Sequence, residues 1–217
     1  MSISIARLTK PNLPQAATVL TAALHVEPGF VSVIPDPRRR SDVMGALFQT
    51  LVRDALPLGN VWVAAVDGQV AGTAVWYAPG DFPMTVLRQL RLAPVMLPLL
   101  RFGRGMVTSL GQMEGNAKAA FPKEPCWYLA ALGVDPARQG QGIGSRLMET
   151  ALAEIDAGDA AGRAAYLETG EEINVRFYER FGFEIREHAL QLAPAPGPTH
   201  WTMWRPAVAS RDSDVTT

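Results

Sequence analysis

The sequence has few of the features that place proteins outside a reducing, water-filled compartment. Its single cysteine, Cys126, excludes an intramolecular disulfide and favours a cytoplasmic location. Its first residues lack the long apolar segment of a signal peptide. The most apolar run, residues 93–100, contains Pro94 and Pro98 and is too short to cross a bilayer. These absences predict a soluble protein that does not associate with a membrane.

The chain also has no excess of charge of either sign. Its 20 basic and 21 acidic residues give a net charge of -1, which provides no electrostatic basis for nucleic-acid or membrane-surface partners. With 217 residues, of which 48% are hydrophobic, the chain is long enough to form one domain with a sizeable core. We expect that domain at residues 1–206 and a disordered tail at residues 207–217, which are polar at their end.

Hydrophobic periodicity and turn residues predict a chain in which strands and helices are mixed. Strands are expected at 2–8, 61–66, 69–77, 127–134, 164–168, 183–192 and 200–204. Helices are expected up to Leu24 and at 39–56, 143–157 and 173–181, with a loop at 25–37 and an interrupted helical stretch at 79–125. Asp67-Gly68 predicts a tight hairpin. The strand, helix and strand from 127 to 168 form a βαβ unit, whose two strands should run parallel.

The most informative stretch is residues 127–144. An apolar strand breaks at Asp135-Pro136 and passes through glycines 140, 142 and 144 into a helix. The first amides of a helix are unpaired and carry partial positive charge, which suits a phosphate or pyrophosphate. The spacing excludes two familiar loops. No lysine follows the glycines as a P-loop requires, and Ser145 and Leu147 stand where a dinucleotide fingerprint needs its third glycine.

The spacing that does fit is Gln139-x-x-Gly142-x-Gly144, followed by Asn174-x-x-x-Tyr178-x-x-x-Gly-Phe at residues 174–183. Together these motifs resemble those of the GCN5-related N-acetyltransferase (GNAT) family. Within that family they are most similar to the motifs of puromycin N-acetyltransferase and its relatives. The resemblance covers residues 61–64, 122–125, 127–144, 167–183 and 201–203. It is loose over residues 1–60 and 78–121, where an acceptor would be selected, so the acceptor is not carried over.

The resemblance implies the GNAT fold, an α/β (α+β) class with a mixed, mostly antiparallel sheet of about seven strands, one splayed parallel pair and flanking helices. It also implies acetyl-CoA as co-substrate, no metal, and direct acetyl transfer to a primary amine of a small molecule or peptide by a monomer or homodimer. Pantetheine would bond the backbone of Leu132, Gly133 and Val134, and Asn174 would bond the pantetheine arm or the acceptor. The pyrophosphate would be held by Gln139, Gly140, Gln141, Gly142, Ile143, Gly144 and Ser145.

The resemblance further implies Tyr178 as the acid that protonates the leaving thiolate. Glu168 is the candidate base, since Tyr128 stands where some relatives carry a catalytic glutamate. Glu27, Asp36 and Glu114 remain alternatives to Glu168, and Asn174 has an ordinary alternative as a helix cap.

Other interpretations stay open at this stage. Cys126 with a histidine (His25, His188 or His200) suggests a nucleophile, although a lone cysteine in a strand is more often a packed apolar residue. Residues 38–40, three arginines, suit a 3′-phosphate or a solvated helix start. Residues 76, 77, 82 and 84–100 suit an acceptor pocket or core packing. A catalytically silent acyl-CoA-binding module is the alternative to an enzyme, and the loop motif does not identify the acyl group.

Overall fold

The computed structural model describes residues 2–158 and 164–207, with the backbone alone at 95, 96 and 98. Its strands are β1 (Ile3–Arg7), β2 (Val61–Val66), β3 (Gln69–Tyr77), β4 (Trp127–Val134), β5 (Ala165–Thr169), β6 (Glu184–Gln191) and β7 (Thr199–Arg205). They form one sheet in the order β1-β2-β3-β4-β5-β7-β6. Every neighbouring pair is antiparallel except β4 and β5. The predicted fold class and parallel pair are thus confirmed.

Seven helices flank this sheet in the described residues: α1 (Leu13–Ala23), α2 (Pro28–Val33), α3 (Pro37–Ala55), α4 (Val86–Met96), α5 (Arg104–Ala120), α6 (Ile143–Asp156) and α7 (Glu172–Glu179). The hairpin between β2 and β3 turns at Asp67 and Gly68, whose φ angles of 52° and 78° are those of the predicted tight turn. None of the described helices has the length and apolar character needed to span a membrane.

Two glycines allow helices to approach the centre of the sheet from opposite faces. A Cβ atom on Gly133 of β4 would lie 2.8 Å from Cβ of Ala23, at the end of α1. One on Gly72 of β3 would lie 2.8 Å from Cγ2 of Ile143, at the start of α6. Helices α1 and α3 pack with one buried cluster, and α6 and α7 pack with the other. The start of α6 is therefore held close to the middle of the sheet.

The prediction of a loop at 25–37 is wrong in part, because α2 lies inside it. Glu27 caps this helix by accepting a hydrogen bond from the amide of Phe30 at 3.0 Å, and Pro28 occupies its first position. Proline is well tolerated there because that amide has no partner within the helix. The prolines that suggested a loop include the one that starts the helix. Of the predicted tail, every residue except Ala207 lies outside the described residues.

Candidate active site

A slot opens in the middle of the sheet where the two parallel strands separate. Strand β4 pairs with β5 only at Trp127 with Ala165 and at Tyr128 with Tyr166. Beyond Tyr128, β4 continues to Val134 along β3 alone. Its register with β3 shifts at this point, so Ala130 is an extra residue in the strand. Such a bulge bends a strand and is common beside binding sites. The splayed pair implied by the resemblance is present.

The ladder with β3 decides which amides of β4 face this slot. The amide of Asp135 donates to the carbonyl of Ala71 at 2.9 Å, so the backbone of Asp135 faces β3. In an antiparallel ladder bonded pairs alternate with unbonded ones, so Gly133 also bonds β3 while Leu132 and Val134 point their backbone groups away from it. Leu132 and Val134 therefore present their amides to the slot.

Gly133, predicted to bind the coenzyme as well, faces β3 with its backbone. The glycine is required there because α1 leaves no space for a side chain. Gly133 therefore allows the close packing of α1 on β4, and only Leu132 and Val134 of these three residues face the slot.

At the end of β4 the glycine loop forms an exposed turn. Gly140 and Gly142 have φ angles of 75° and 78°, the left-handed region that side chains disfavour. Gly142 precedes α6, and no side chain caps that helix. The first helical hydrogen bond runs from Arg146 to Gly142 at 3.0 Å, so the amides of residues 143–145 have no partner within the helix. A Cβ atom would fit beside Gly144, 3.5 Å from Phe177 and 3.6 Å from Val134.

This geometry fits a diphosphate. The turn brings together all seven residues predicted to hold it, namely Gln139, Gly140, Gln141, Gly142, Ile143, Gly144 and Ser145. Ile143 is buried beneath α6, so only its backbone is available. The Gln139 side chain donates to the carbonyl of Val134 at 3.3 Å, which links the turn to the end of the slot.

Helix α7 lies on the same face of the sheet as α6. Its Tyr178 is buried in the cluster that contains Leu129 of β4. Burial raises the pKa of Tyr178 above its ordinary value of 10, so its phenol keeps its proton throughout the physiological range. Asn174 is not the N-cap, a position occupied by Glu171. Its side-chain amide donates to the Glu171 carboxylate at 3.4 Å.

Glu168 occupies the opposite face of the sheet. It follows Leu167, which packs with the α6 side, and shares the face of Tyr166. Burial raises the pKa of the Glu168 carboxyl to about 7, although the hydroxyls of Tyr128 and Tyr166 and the ring of His200 lower it in part. Oε1 of Glu168 and the hydroxyl of Tyr166 are both buried with no hydrogen-bond partner within the described chain. A carboxyl in this state is suited to exchange a proton near neutral pH.

The other proposed bases have different surroundings. Asp36 caps α3 through the amide of Arg39 at 2.7 Å, and Glu114 pairs with Lys118 along α5 at 2.6 Å. Glu27 is paired with His200, whose Nε2 lies 2.9 Å from its Oε1. Sequence reasoning had paired His200 only with Cys126. Nothing local predicts its contact with Glu27, since 173 positions separate the two residues.

Two of the histidines, Cys126 and Arg40 have surroundings that argue against a role in the transfer. His25 lies 3.1 Å from the hydroxyl of Ser41, and His188 stacks on Trp201. Cys126 is buried, and burial raises the pKa of its thiol to about 12, which opposes a nucleophilic role. Arg40 is buried and donates to the carbonyls of His25 and Ile34, both at 2.7 Å, so it fixes the α1–α3 connection.

Aromatic rings cover the Glu168 face of β4. Tyr77, Phe82, Phe121, Tyr128 and Tyr166 form one contiguous cluster, in which the Phe82 and Tyr128 centroids lie 4.7 Å apart. Trp76, also predicted to line a pocket, packs with the α6 face instead because strand residues alternate. An open cavity of about 520 Å³ borders this cluster. It is lined by Ala120, Phe121, Pro122, Lys123, Glu124, Tyr166, Arg186, Glu187 and Thr202.

No cluster of three or more histidine, cysteine or carboxylate side chains suited to a metal occurs in residues 2–158 and 164–207. The polar groups of the candidate site are backbone amides, the Tyr178 phenol, the Glu168 carboxyl of raised pKa and the His200–Glu27 pair.

Comparisons with known proteins agree with this arrangement. A structure described as histone acetyltransferase HPA2 and related acetyltransferase, from Corynebacterium glutamicum, is 26% identical with a TM-score of 0.69, covering 97% of this chain and 99% of that one. Polyamine N-acetyltransferase from Drosophila melanogaster is 20% identical with a TM-score of 0.65, covering 94% and 99%. Arylalkylamine N-acetyltransferase 2 from Aedes aegypti is 12% identical with a TM-score of 0.62, covering 96% and 100%.

The family model of the acetyltransferase (GNAT) family matches residues 32–183, more than half of the chain. The matched range contains the slot, the glycine turn, Glu168 and Tyr178. The protein is therefore a member of the GNAT family of acetyltransferases.

Proposed function

We propose that this protein transfers the acetyl group of acetyl-CoA directly to a primary amine, with Glu168 as base and Tyr178 as the hydrogen-bond donor to the leaving sulfur. The observation that carries the proposal is the slot between β4 and β5. The amides of Leu132 and Val134 line it, and the uncapped glycine turn lies at its end. The backbone amides of the slot suit a pantetheine arm, and those of the glycine turn suit a diphosphate. Both groups belong to acetyl-CoA, which members of the family use.

The acceptor amine must lose a proton before it can attack, and Glu168 is poised to take it. At its pKa of about 7 the carboxyl is substantially ionised at neutral pH and yet basic enough to accept a proton. The neutral amine then attacks the acetyl carbonyl carbon, and the amide of Val134 or a neighbour stabilises the oxygen as negative charge develops on it. No acyl-enzyme is formed, in keeping with the buried, protonated thiol of Cys126.

Tyr178 acts on the departing thiolate from the opposite face. Because burial raises its pKa above 10, the phenol is a weaker acid than a thiol of pKa about 8.5, and complete proton transfer is uphill. It therefore assists mainly by donating a hydrogen bond to the sulfur as charge builds there. The proton that the thiol finally gains comes from the amine or solvent.

The finer identity of the reaction is also a proposal. The acceptor is a small-molecule or peptide amine that enters from the Glu168 face, beside the aromatic cluster. Named relatives that acetylate polyamines and arylalkylamines support a small amine. We also propose that the protein is bacterial and cytoplasmic and that it is a puromycin N-acetyltransferase-like member of the family. It would act as a monomer or homodimer, with a single domain at residues 1–206.

The test is release of free thiol from acetyl-CoA across a panel of amines, together with calorimetry of coenzyme A binding. Tyr178→Phe should reduce kcat by on the order of a hundredfold and leave coenzyme affinity within about twofold. Phe181→Leu, a change on the neighbouring turn, serves as the matched control for packing. A Tyr178→Phe enzyme with wild-type turnover would remove this residue from the mechanism, and absence of coenzyme binding would remove the whole assignment.

A silent acyl-CoA-binding module remains the second candidate. The poised Glu168 favours the enzyme, because a binding module has no need of a buried carboxyl without a hydrogen-bond partner. Coenzyme binding without turnover on any amine of the panel would favour the module.

A further inference from the structure

A second acid–base pair lies close to Glu168. Oε1 of Glu27 lies 2.9 Å from Nε2 of His200, and the other Glu27 oxygen accepts the amide of Phe30 at 3.0 Å. The His200 side chain is 4% exposed and that of Glu27 is 18% exposed. A Cβ atom on Gly170 would lie 2.4 Å from Oε1 of Glu27, so only glycine permits this approach. The chain thus brings α2, β7 and the end of β5 together around one histidine.

The Glu27 carboxylate determines which nitrogen of the ring carries the proton. Burial alone would raise its pKa, but the hydrogen bond and charge of His200, with the amide of Phe30, hold the pKa of Glu27 below its usual value. An ionised carboxylate can only accept a hydrogen bond, so Nε2 of His200 must bear a hydrogen. In the neutral ring Nδ1 is then an unprotonated acceptor. That Nδ1 is buried without a partner in the part of the chain described.

The sheet register places this acceptor beside Glu168. Glu168 pairs with Thr202 across β5 and β7, and His200 lies two residues from Thr202 on the same face. Diagonal neighbours of this kind are about 7–8 Å apart at their Cα atoms, within reach of long side chains. Both Oε1 of Glu168 and Nδ1 of His200 are buried and unpaired, and one bridging water would satisfy both.

We propose that His200, held by Glu27, is a positioning and relay residue that takes from Glu168 the proton removed from the acceptor amine. This inference rests on the proposed function. The ammonium gives its proton to the Glu168 carboxylate, and the resulting carboxylic acid passes it to Nδ1, directly or through the water. Glu168 is ionised again, and the imidazolium is stabilised by the Glu27 carboxylate. The Nδ1 proton then leaves to solvent by way of the bridging water, while Nε2 keeps its proton and its hydrogen bond to Glu27, which restores the starting tautomer.

The groups facing Glu168 are Tyr128 from β4, Tyr166 from β5 and His200 from β7, with Cys126 near enough to interact with its charge. Those facing His200 are Glu27 and Glu168. The hydroxyls of Tyr128 and Tyr166 and the electrostatic interaction with His200 each lower the pKa of Glu168. Removal of His200 should therefore move the ionisation of Glu168 to higher pH.

The test compares pH–rate profiles of His200→Gln, Glu27→Gln and the control His188→Gln, an exposed histidine of β6 that stacks on Trp201. We expect kcat to fall on the order of tenfold in the first two variants, less than the loss of a direct base. The acid limb of kcat/KM should move to higher pH in both, while His188→Gln follows the wild type. A structural role alone would lower the plateau without moving the limb.

Two further readouts separate the possible failures. Imidazole added to His200→Ala should restore part of the lost turnover, and coenzyme binding by calorimetry should remain within about twofold of wild type in every folded variant. An active wild type whose His200 variants keep its acid limb and gain nothing from imidazole overturns the relay alone. A wild type that binds coenzyme A but acetylates no amine overturns the proposed function and this inference with it.

Discussion

Gly72 of β3 and Ile143 of α6 touch so closely that no side chain can be placed between them. A Cβ atom on Gly72 would lie 2.8 Å from Cγ2 of Ile143 and 2.9 Å from Cδ1 of Leu147. Ile143 is the first residue of the helix whose free amides face the proposed diphosphate site. The contact therefore links the packing of the core to the position of that site.

Gly72→Ala should both destabilise the protein and weaken coenzyme binding. The added methyl overpacks a full contact, which costs about 1–3 kcal/mol and pushes the start of α6 outward. Denaturant unfolding and calorimetry measure the two effects. Gly111→Ala is the control, because Gly111 is exposed within α5 with nothing within 4 Å of its Cβ position. It should gain up to about 1 kcal/mol from helix propensity and bind coenzyme normally. Equal behaviour of the two variants would contradict the packing argument.

Glu168→Gln should abolish most activity and yet stabilise the protein above neutral pH. The pKa of Glu168 is about 7 when folded against an ordinary 4.5, so between those values the folded chain binds a proton that the unfolded chain has released. Wild-type stability relative to the variant should therefore fall as pH rises through this window, by as much as about 3 kcal/mol. Turnover should fall about 10²–10⁴-fold, because the base is lost.

The measurement is urea unfolding of wild type and Glu168→Gln at pH 4.5 and pH 8. Glu149→Gln, on the exposed side of α6, provides the control and should track the wild type at both values. A stability difference between Glu168→Gln and wild type that does not change with pH would show that Glu168 is not a desolvated acid.

Asp54→Ala should be severely destabilising. Asp54 accepts hydrogen bonds from the Tyr77 hydroxyl at 2.8 Å and from Nε of Arg88 at 3.0 Å, and its side chain is 5% exposed. Removal takes the carboxylate from the Arg88 guanidinium, which keeps its hydrogen bond to the carbonyl of Asp81 at 2.5 Å, and leaves the buried Tyr77 hydroxyl without its acceptor. The loss of this charge partner costs roughly 3–5 kcal/mol. Arg88 anchors α4 to α3, so the acceptor KM should also rise while coenzyme affinity holds.

Asp42→Ala is the matched comparison, since Asp42 forms an exposed pair with Arg101 at 3.7 Å. That substitution should change stability by less than about 1 kcal/mol. Thermal or denaturant unfolding measures the loss of stability in both variants. A loss at Asp54→Ala as small as that at Asp42→Ala would show that α4 is held by its apolar contacts instead.

Cys126 should be inert in the folded protein. With the pKa of the thiol raised to about 12 by burial, roughly one molecule in 10⁴ carries a thiolate at pH 8. Ellman's reagent should therefore release almost no chromophore from native protein and one equivalent after denaturation. Cys126→Ala should retain acetyl transfer. A folded but inactive Cys126→Ala variant would contradict this prediction and support Cys126 as a nucleophile.

Residues 127–144 show what the sequence by itself determined. A strand, a proline break, left-handed glycines and a helix start are encoded by near neighbours, because backbone conformation and end amides depend on local residue type. The diphosphate turn, the hairpin at Asp67 and Gly68 and the parallel pair were all predictable for this reason. The spacing of Tyr178 from Asn174 likewise pointed to a residue that the structure holds on the α6 face.

The tertiary structure alone decided the rest. The strand register directs the backbone groups of Leu132 and Val134 to the slot and those of Gly133 to β3. This register follows from the pairing at Asp135 and not from residue type. The raised pKa of Glu168 depends on its burial. His200 meets Glu27 only after α2 and β7 have packed together, 173 positions apart in sequence. Long-range proximity and desolvation are properties of the packed chain, and these two determined the acid–base chemistry proposed for the site.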